Sequence, residues 1–179
     1  DDTIVVYFSD NGPNGFRYNN GMKGRKGTTD EGGVRSPLLI RCPGRVAEGR
    51  TVGTIGAAID LLPTLCDLAG IPLPTEKPLD GLSLKPLLQG PAPARWPARM
   101  LFSHWGGRVS VRTQTHRLDH QGQLFDMEAD PGQRRDIAQQ LPEVAAKLGA
   151  ADEAWRQELL TGLGNDERPF LVGHPDFAL

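Results

Sequence analysis

The sequence predicts an α/β fold, and three observations carry the prediction. A short β-branched and aromatic run, Thr3 to Phe8, is followed by a second apolar run, Pro37 to Arg41. A helical period takes over between residues 54 and 69. Four short strand-like segments between 99 and 127 then precede one long helical pattern, 142–160.

The first run, TIVVYF, is continuously apolar and reads as a strand covered on both faces, as in a parallel sheet; PLLIR reads the same way. The loop between them, Ser9 to Pro37, begins at the C-terminal end of the first strand, where open α/β sheets bind ligands. In the helical stretch, Ile55, Ile59, Leu62, Leu65, Cys66 and Ala69 fall on one face. Asp60 with Pro63 restarts or kinks the helix there, because proline suits a first turn and breaks an interior. Gly70 is its expected stop. A proline-punctuated connector from Pro72 to Pro97 holds one short apolar element, LSLKPLL. RMLFSHW, RVSVRT, HRLD and GQLFDM, joined by short turns, predict an antiparallel meander. Asp130-Pro131-Gly132 is a turn, and the final helix places Val144, Leu148, Trp155 and Leu159 on one face. The expected division is 1–90 for the first α/β part, 91–160 for the small sheet with its helix, and 161–179 for a tail.

The totals limit the function classes. The chain of 179 residues carries 20 Lys and Arg against 22 Asp and Glu, a net charge of −2. That balance makes no electrostatic case for nucleic acid or a membrane surface. No stretch of 18 apolar residues is present to span a bilayer. Cys42 and Cys66 are too few for a disulfide framework or a structural zinc site, and Cys66 reads as a small buried hydrophobe. Of the histidines, His116 and His120 lie across a strand and turn and read as surface or sheet residues. His104 with Trp105 precedes Gly106-Gly107, which suits either a cleft that takes a sugar or aryl group or a packed sheet position.

The long loop holds the candidate chemistry. Asp10 and Asn11 are adjacent oxygen donors at a strand end and suit a hard divalent cation; Asp-Asn-Gly is equally a turn signal. Pro13 follows, and no alternating partner strand begins after Gly12. Calcium takes about six to eight oxygens, so further ligands must come from elsewhere. Lys23, Arg25 and Lys26 can hold a tetrahedral oxyanion beside a metal, or form a solvated basic turn. The pattern is not a P-loop. Gly32 and Gly33 are expected to supply unusual backbone angles, and Glu31 with Arg35 a structural ion pair.

TIVVYFSDNGPNGFRYNNGMKGRKGTTDEGGVRSPLLIRCPG resembles the C-terminal half of type I, formylglycine-dependent sulfatases of the alkaline phosphatase superfamily. DLLPTLCDLAG, LDGLSLKPLL and LFDMEADPGQRRDIA continue the match in order, to about Trp155, with the arylsulfatase-like enzymes nearest. The resemblance implies the C-terminal part of an alkaline-phosphatase-like α/β sandwich, followed by a small antiparallel sheet with one long C-terminal helix. It implies sulfate-ester hydrolysis with one calcium ion, Asp10 and Asn11 as metal ligands, and Lys26 as the sulfate-binding group that offsets charge on the leaving oxygen. Lys23 is the less favoured lysine; with His104 and Trp105 it is a secondary substrate-binding candidate.

The nucleophile motif C/S-x-P-x-R is absent, and CPGR at Cys42 to Arg45 has the wrong spacing. The remaining ligands belong to the family's N-terminal half, so the chain is expected to begin at a cut and to need that half as its partner. Alone it is expected not to turn over sulfate esters and to expose apolar surface. The implied substrate is a sulfated small molecule or sugar, and family habit implies the periplasm or the cell exterior. The rival readings are a phosphate or phosphonate ester hydrolase of the same superfamily, and a non-catalytic anion- or sugar-binding remnant.

Overall fold

The computed structural model describes residues 2–161 apart from 75, 91, 92 and 94; of the expected tail, 161–179, only Thr161 is described, and it still has helical backbone angles. Two antiparallel sheets organise the chain. The first is a ribbon of β1 (Val5–Phe8) and β2 (Leu38–Arg41), in register from Val5 opposite Arg41 to Phe8 opposite Leu38. The expectation of strands covered on both faces is corrected here. The two runs pair with each other in opposite directions, and Val5, Tyr7, Phe8, Leu38 and Leu39 are all exposed.

Between these strands the loop folds back on itself. It contains a 3₁₀ turn at Phe16–Tyr18 and a short helix, α1 (Glu31–Val34). Asn19 is buried at its centre: its amide donates to the carbonyls of Met22 (2.8 Å) and Gly24 (3.2 Å). Gly32 and Gly33 serve a different purpose from the one expected, since neither has a positive φ. They are glycines because backbone packs on backbone. A Cβ on Gly33 would lie 2.3 Å from the Thr28 carbonyl oxygen, and one on Gly12 only 2.0 Å from that of Gly32.

After β2, a 3₁₀ turn at Ala58–Asp60 leads into α2 (Leu61–Ala69). Asp60 and Pro63 thus mark the restart, and Gly70 ends the helix with a left-handed φ of 70°. The buried face differs from the expected one. Asp60, Pro63, Thr64 and Leu68 turn inward, whereas Ile59 and Leu62 are exposed. Polar anchoring sets this rotation. The Asp60 carboxylate accepts the N–H groups of Ala57 and Leu82 and the Arg99 guanidinium, each at 2.8 Å. Thr64 Oγ1 donates to the Asp60 carbonyl at 2.6 Å and accepts the Leu84 N–H at 2.8 Å, which holds the segment leading to α3 (Lys85–Gln89) against α2.

The second sheet is the expected meander, in the order β3 (Leu101–Trp105), β4 (Arg108–Arg112), β5 (His116–Leu118), β6 (Leu124–Asp126). Successive residues of a strand alternate between faces, and here the two faces differ in chemistry. Val111, Leu118 and Leu124 form a core with Leu148 of α4 (Pro142–Trp155), bordered by Phe102, Ile137 and Val144. The opposite face carries Ser110, Arg112 and Arg117, which turn toward the loop. Helix α4 continues as a π-helical turn, Arg156–Leu160. The wider turn delays the register by about one residue, so Leu160 is buried in place of the expected Leu159. Among the described residues no helix is long and apolar enough to cross a membrane.

Candidate functional site

Asp10 and Asn11 follow β1 after one residue, Ser9. Asp10 is exposed and accepts only a long bond from the Ser9 hydroxyl, at 3.4 Å; Asn11 is half-buried. Among the described residues no group of three or more His, Cys, Asp or Glu side chains converges. The pair therefore offers two oxygen donors of the six to eight that calcium takes, so it fits part of such a site.

The far end of the loop returns to this turn. The Lys26 N–H donates to the Pro13 carbonyl at 3.0 Å, and the Gly12 N–H donates to the Gly33 carbonyl at 2.8 Å. The backbone of Lys26 is thus hydrogen-bonded three residues beyond Asp10. Lys26 is exposed and makes no ion pair among the described residues. Gly24 and Gly27 flank it with φ of 82° and 86°, a left-handed geometry that glycine adopts without strain.

Lys23 occupies a different environment. Its ammonium lies 3.0 Å from Asp119 and 3.5 Å from Asp30, and 4.9 Å from the centre of the Phe125 ring. Burial works against its charge, but the hydrogen bond to Asp119 and the charges of Asp30 and Asp119 outweigh it and hold the Lys23 pKa above the usual lysine value. This lysine fastens the loop to the sheet.

Glu31 is the second fastening. The expected pair with Arg35 is present at 3.5 Å, but closer partners sit on the sheet: Arg117 at 2.8 Å and Arg112 at 3.3 Å. Burial raises the Glu31 pKa, yet the guanidinium charges of Arg117 and then Arg112 prevail and hold it below the usual carboxylate range. Arg117 also donates to the Thr29 carbonyl and to Ser110 Oγ, both at 2.8 Å. Gln133 completes the clamp. It is buried with φ of 51°, and its Oε1 accepts the Glu31 N–H at 2.8 Å.

Glu31 was singled out from the sequence only for its pair with Arg35, and Ser110, Arg112, Arg117 and Gln133 were not singled out. A signal was available in RVSVR, where polar positions alternate with Val109 and Val111, so that one face had to meet something polar.

His104 and Trp105 do not share a site. As strand neighbours they point to opposite faces. His104 lies on the helix side, its ring centre 6.2 Å from that of Trp155. Trp105 lies on the loop side: a Cβ on Gly27 would be 3.9 Å from its indole nitrogen. Of the two, only Trp105 is brought to the Lys26 segment.

The sulfatase family model matches residues 1–71, which contain Asp10, Asn11 and Lys26. Human arylsulfatase A is 44% identical over 145 residues, covering 73% of this chain and 28% of that protein. The N-acetylglucosamine-6-O-sulfatase of Bacteroides thetaiotaomicron is 30% identical over 193 residues, covering 98% of this chain and 32% of that one. A solved 2-O GAG sulfatase superposes with a TM-score of 0.60 at 26% identity, over 87% of this chain and 36% of that chain. The chain spans about a third of the length of the relatives it matches. It belongs to the sulfatase family, with the alkaline-phosphatase-like α/β fold of that family.

Proposed function

We propose that this chain is the C-terminal part of a calcium-dependent sulfatase that hydrolyses sulfate esters. The observation that carries the reading is the hydrogen bond from Lys26 to Pro13, which returns a cation-bearing loop to the Asp10-Asn11 turn. Asp10 and Asn11 supply two calcium ligands. Calcium, when bound, attracts the sulfate oxygens by its charge. Lys26 binds the same anion as a point charge and offsets the negative charge that develops on the leaving oxygen. The exposed apolar residues of β1, β2 and α2 pack against the N-terminal half of the same domain, which also brings the remaining ligands and the formylglycine nucleophile. The relatives named for sulfated amino sugars and glycosaminoglycans support a sulfated sugar as substrate. The expected location is the periplasm or the cell exterior.

Two results test this. The coding sequence upstream of Asp1 should carry an in-frame C/S-x-P-x-R; a different nucleophile there would move the reading to phosphate-ester hydrolysis. The purified 179-residue chain should not hydrolyse 4-nitrophenyl sulfate, and saturable metal-dependent turnover by it would contradict the division of labour.

A further inference from the structure

Helix α1 links the two parts of the proposed site. Its Gly33 carbonyl accepts the Gly12 N–H at 2.8 Å, directly after Asp10 and Asn11. Its Gly32 N–H donates to the Lys23 carbonyl at 2.8 Å, and a Cβ on Gly33 would lie 2.6 Å from the Arg25 carbonyl oxygen. The metal turn and the Lys26 segment thus both rest on the backbone of α1. Where α1 sits decides how far Lys26 stands from Asp10 and Asn11. Lys26 has little else to fix it. Its side chain makes no ion pair among the described residues, and the glycines at 24 and 27 leave the backbone around it little stiffness of its own.

The start of α1 is held from 102 residues further along the chain. Gln133 Oε1 accepts the N–H of Glu31, the first residue of α1, at 2.8 Å, and Gln133 Nε2 donates to Asp30 at 3.5 Å. Unlike Arg117, Gln133 brings no charge to be neutralised. It is buried, and its φ of 51° is uncommon for a residue with a side chain. The turn around it is tied down: the Gln133 N–H donates to the Asp130 carbonyl at 3.0 Å, and the Asp130 carboxylate accepts the N–H groups of Arg134 and Arg135 at 2.6 and 2.9 Å. Glycine would meet this φ without strain; glutamine adds the amide that reaches α1. Strain of this kind persists where its surroundings over-determine it, and it collects at functional sites. We propose that Gln133 is a positioning residue of the sulfatase site, which through α1 sets the separation between Lys26 and the Asp10-Asn11 pair. This rests on the sulfate-ester reading above and adds to it a residue outside the loop.

The test uses the full-length parent polypeptide. Gln133→Gly removes the amide and relieves the backbone. Gln133→Asn keeps an amide and suits a left-handed backbone, but its reach is one methylene shorter. Each is made alone and with Lys26→Ala, and kcat/KM for 4-nitrophenyl sulfate is measured with saturating calcium, well below the melting midpoint. Either Gln133 variant should lower kcat/KM by about 10-fold, because a small misplacement of a group at a reacting centre is costly. In the Lys26→Ala background the same change should cost less than about 2-fold, since no cation is left to misplace. Undiminished turnover, or an equal loss with and without Lys26, would overturn the proposal. Hydrogen exchange of the same proteins reads the geometry without turnover. The Gly12 and Lys26 amides should exchange about 10-fold faster in Gln133→Gly, while Val111 and Leu118, paired in the meander, keep their wild-type rates. Unchanged rates at Gly12 and Lys26, or a rise throughout the chain, would overturn it. If the wild type hydrolyses no sulfate ester, the sulfatase reading fails, and exchange alone decides whether Gln133 places α1.

Discussion

The two sheets of this chain are both antiparallel, yet they satisfy burial in opposite ways. The β3–β6 meander has a partner on each face. Its apolar side is closed by α4, and its polar side by the Lys26-bearing loop, through Arg117, Arg112, Ser110 and Asp119. The β1–β2 ribbon has no such closing layer among the described residues: Val5, Tyr7, Phe8, Leu38 and Leu39 are exposed, and only the paired Val6 and Ile40 are half-buried. The difference shows which part is self-sufficient. The meander, its helix and the clamped loop form a complete packing unit. The ribbon and the outer face of α2 leave Val5, Tyr7, Leu39, Ile59 and Leu62 exposed.

The largest expected effect is at the clamp. Arg117→Ala leaves Glu31 buried without its nearest partner, and removing one member of a buried pair costs about 3–5 kcal/mol. Urea denaturation of the chain should show that loss as a lower midpoint, and an unchanged midpoint would mean that the clamp contributes nothing.

A smaller effect is expected from pH. The folded Glu31 pKa is depressed, so its contribution is fully present above the unfolded carboxylate value of roughly 4.3 and is lost as pH falls through the lower folded value. The folded Lys23 pKa is raised, so its contribution is present below about pH 10.4 and is lost as pH rises through the higher folded value. Thermal melts should therefore fall off at both extremes, and the acid loss should shrink in Glu31→Gln relative to wild type.

The smallest effect is expected at the ribbon. Tyr7→Ser should change the stability of the chain by no more than about 0.5 kcal/mol, as for other exposed positions. A loss comparable to that of Arg117→Ala would show that the ribbon is packed within this chain and would erase the contrast.

Local signals made much of this legible in advance. The meander was visible because RVSVRT, HRLD and GQLFDM are short, β-rich and separated by turns. Gly70 announced the end of α2 because a left-handed terminus suits glycine. The direction of β1 and β2 was not legible, since a continuous apolar run does not encode which way its neighbour points. The inward face of α2 was misread because the hydrophobic period favoured Ile59 and Leu62, while the fold is anchored by Asp60 and Thr64. Asp10 and Asn11 stood out as adjacent oxygen donors, whereas Lys26 was one of three loop cations and was separated from Lys23 and Arg25 only by the family resemblance. The Glu31–Arg117 clamp spans 86 residues, and no local pattern ties its two ends together.

The most direct test of the proposed chemistry is Lys26→Ala set beside Lys23→Ala in the full-length parent polypeptide. The measurements are kcat/KM with 4-nitrophenyl sulfate and the midpoint of thermal unfolding. Lys26→Ala should lower kcat/KM by about 100-fold or more with little change in the melt, as expected for loss of a charge aimed at the reacting group. Lys23→Ala should chiefly lower the melt, because it leaves the buried Asp119 without its ammonium. Undiminished turnover in Lys26→Ala would contradict the assignment of Lys26 to the sulfate.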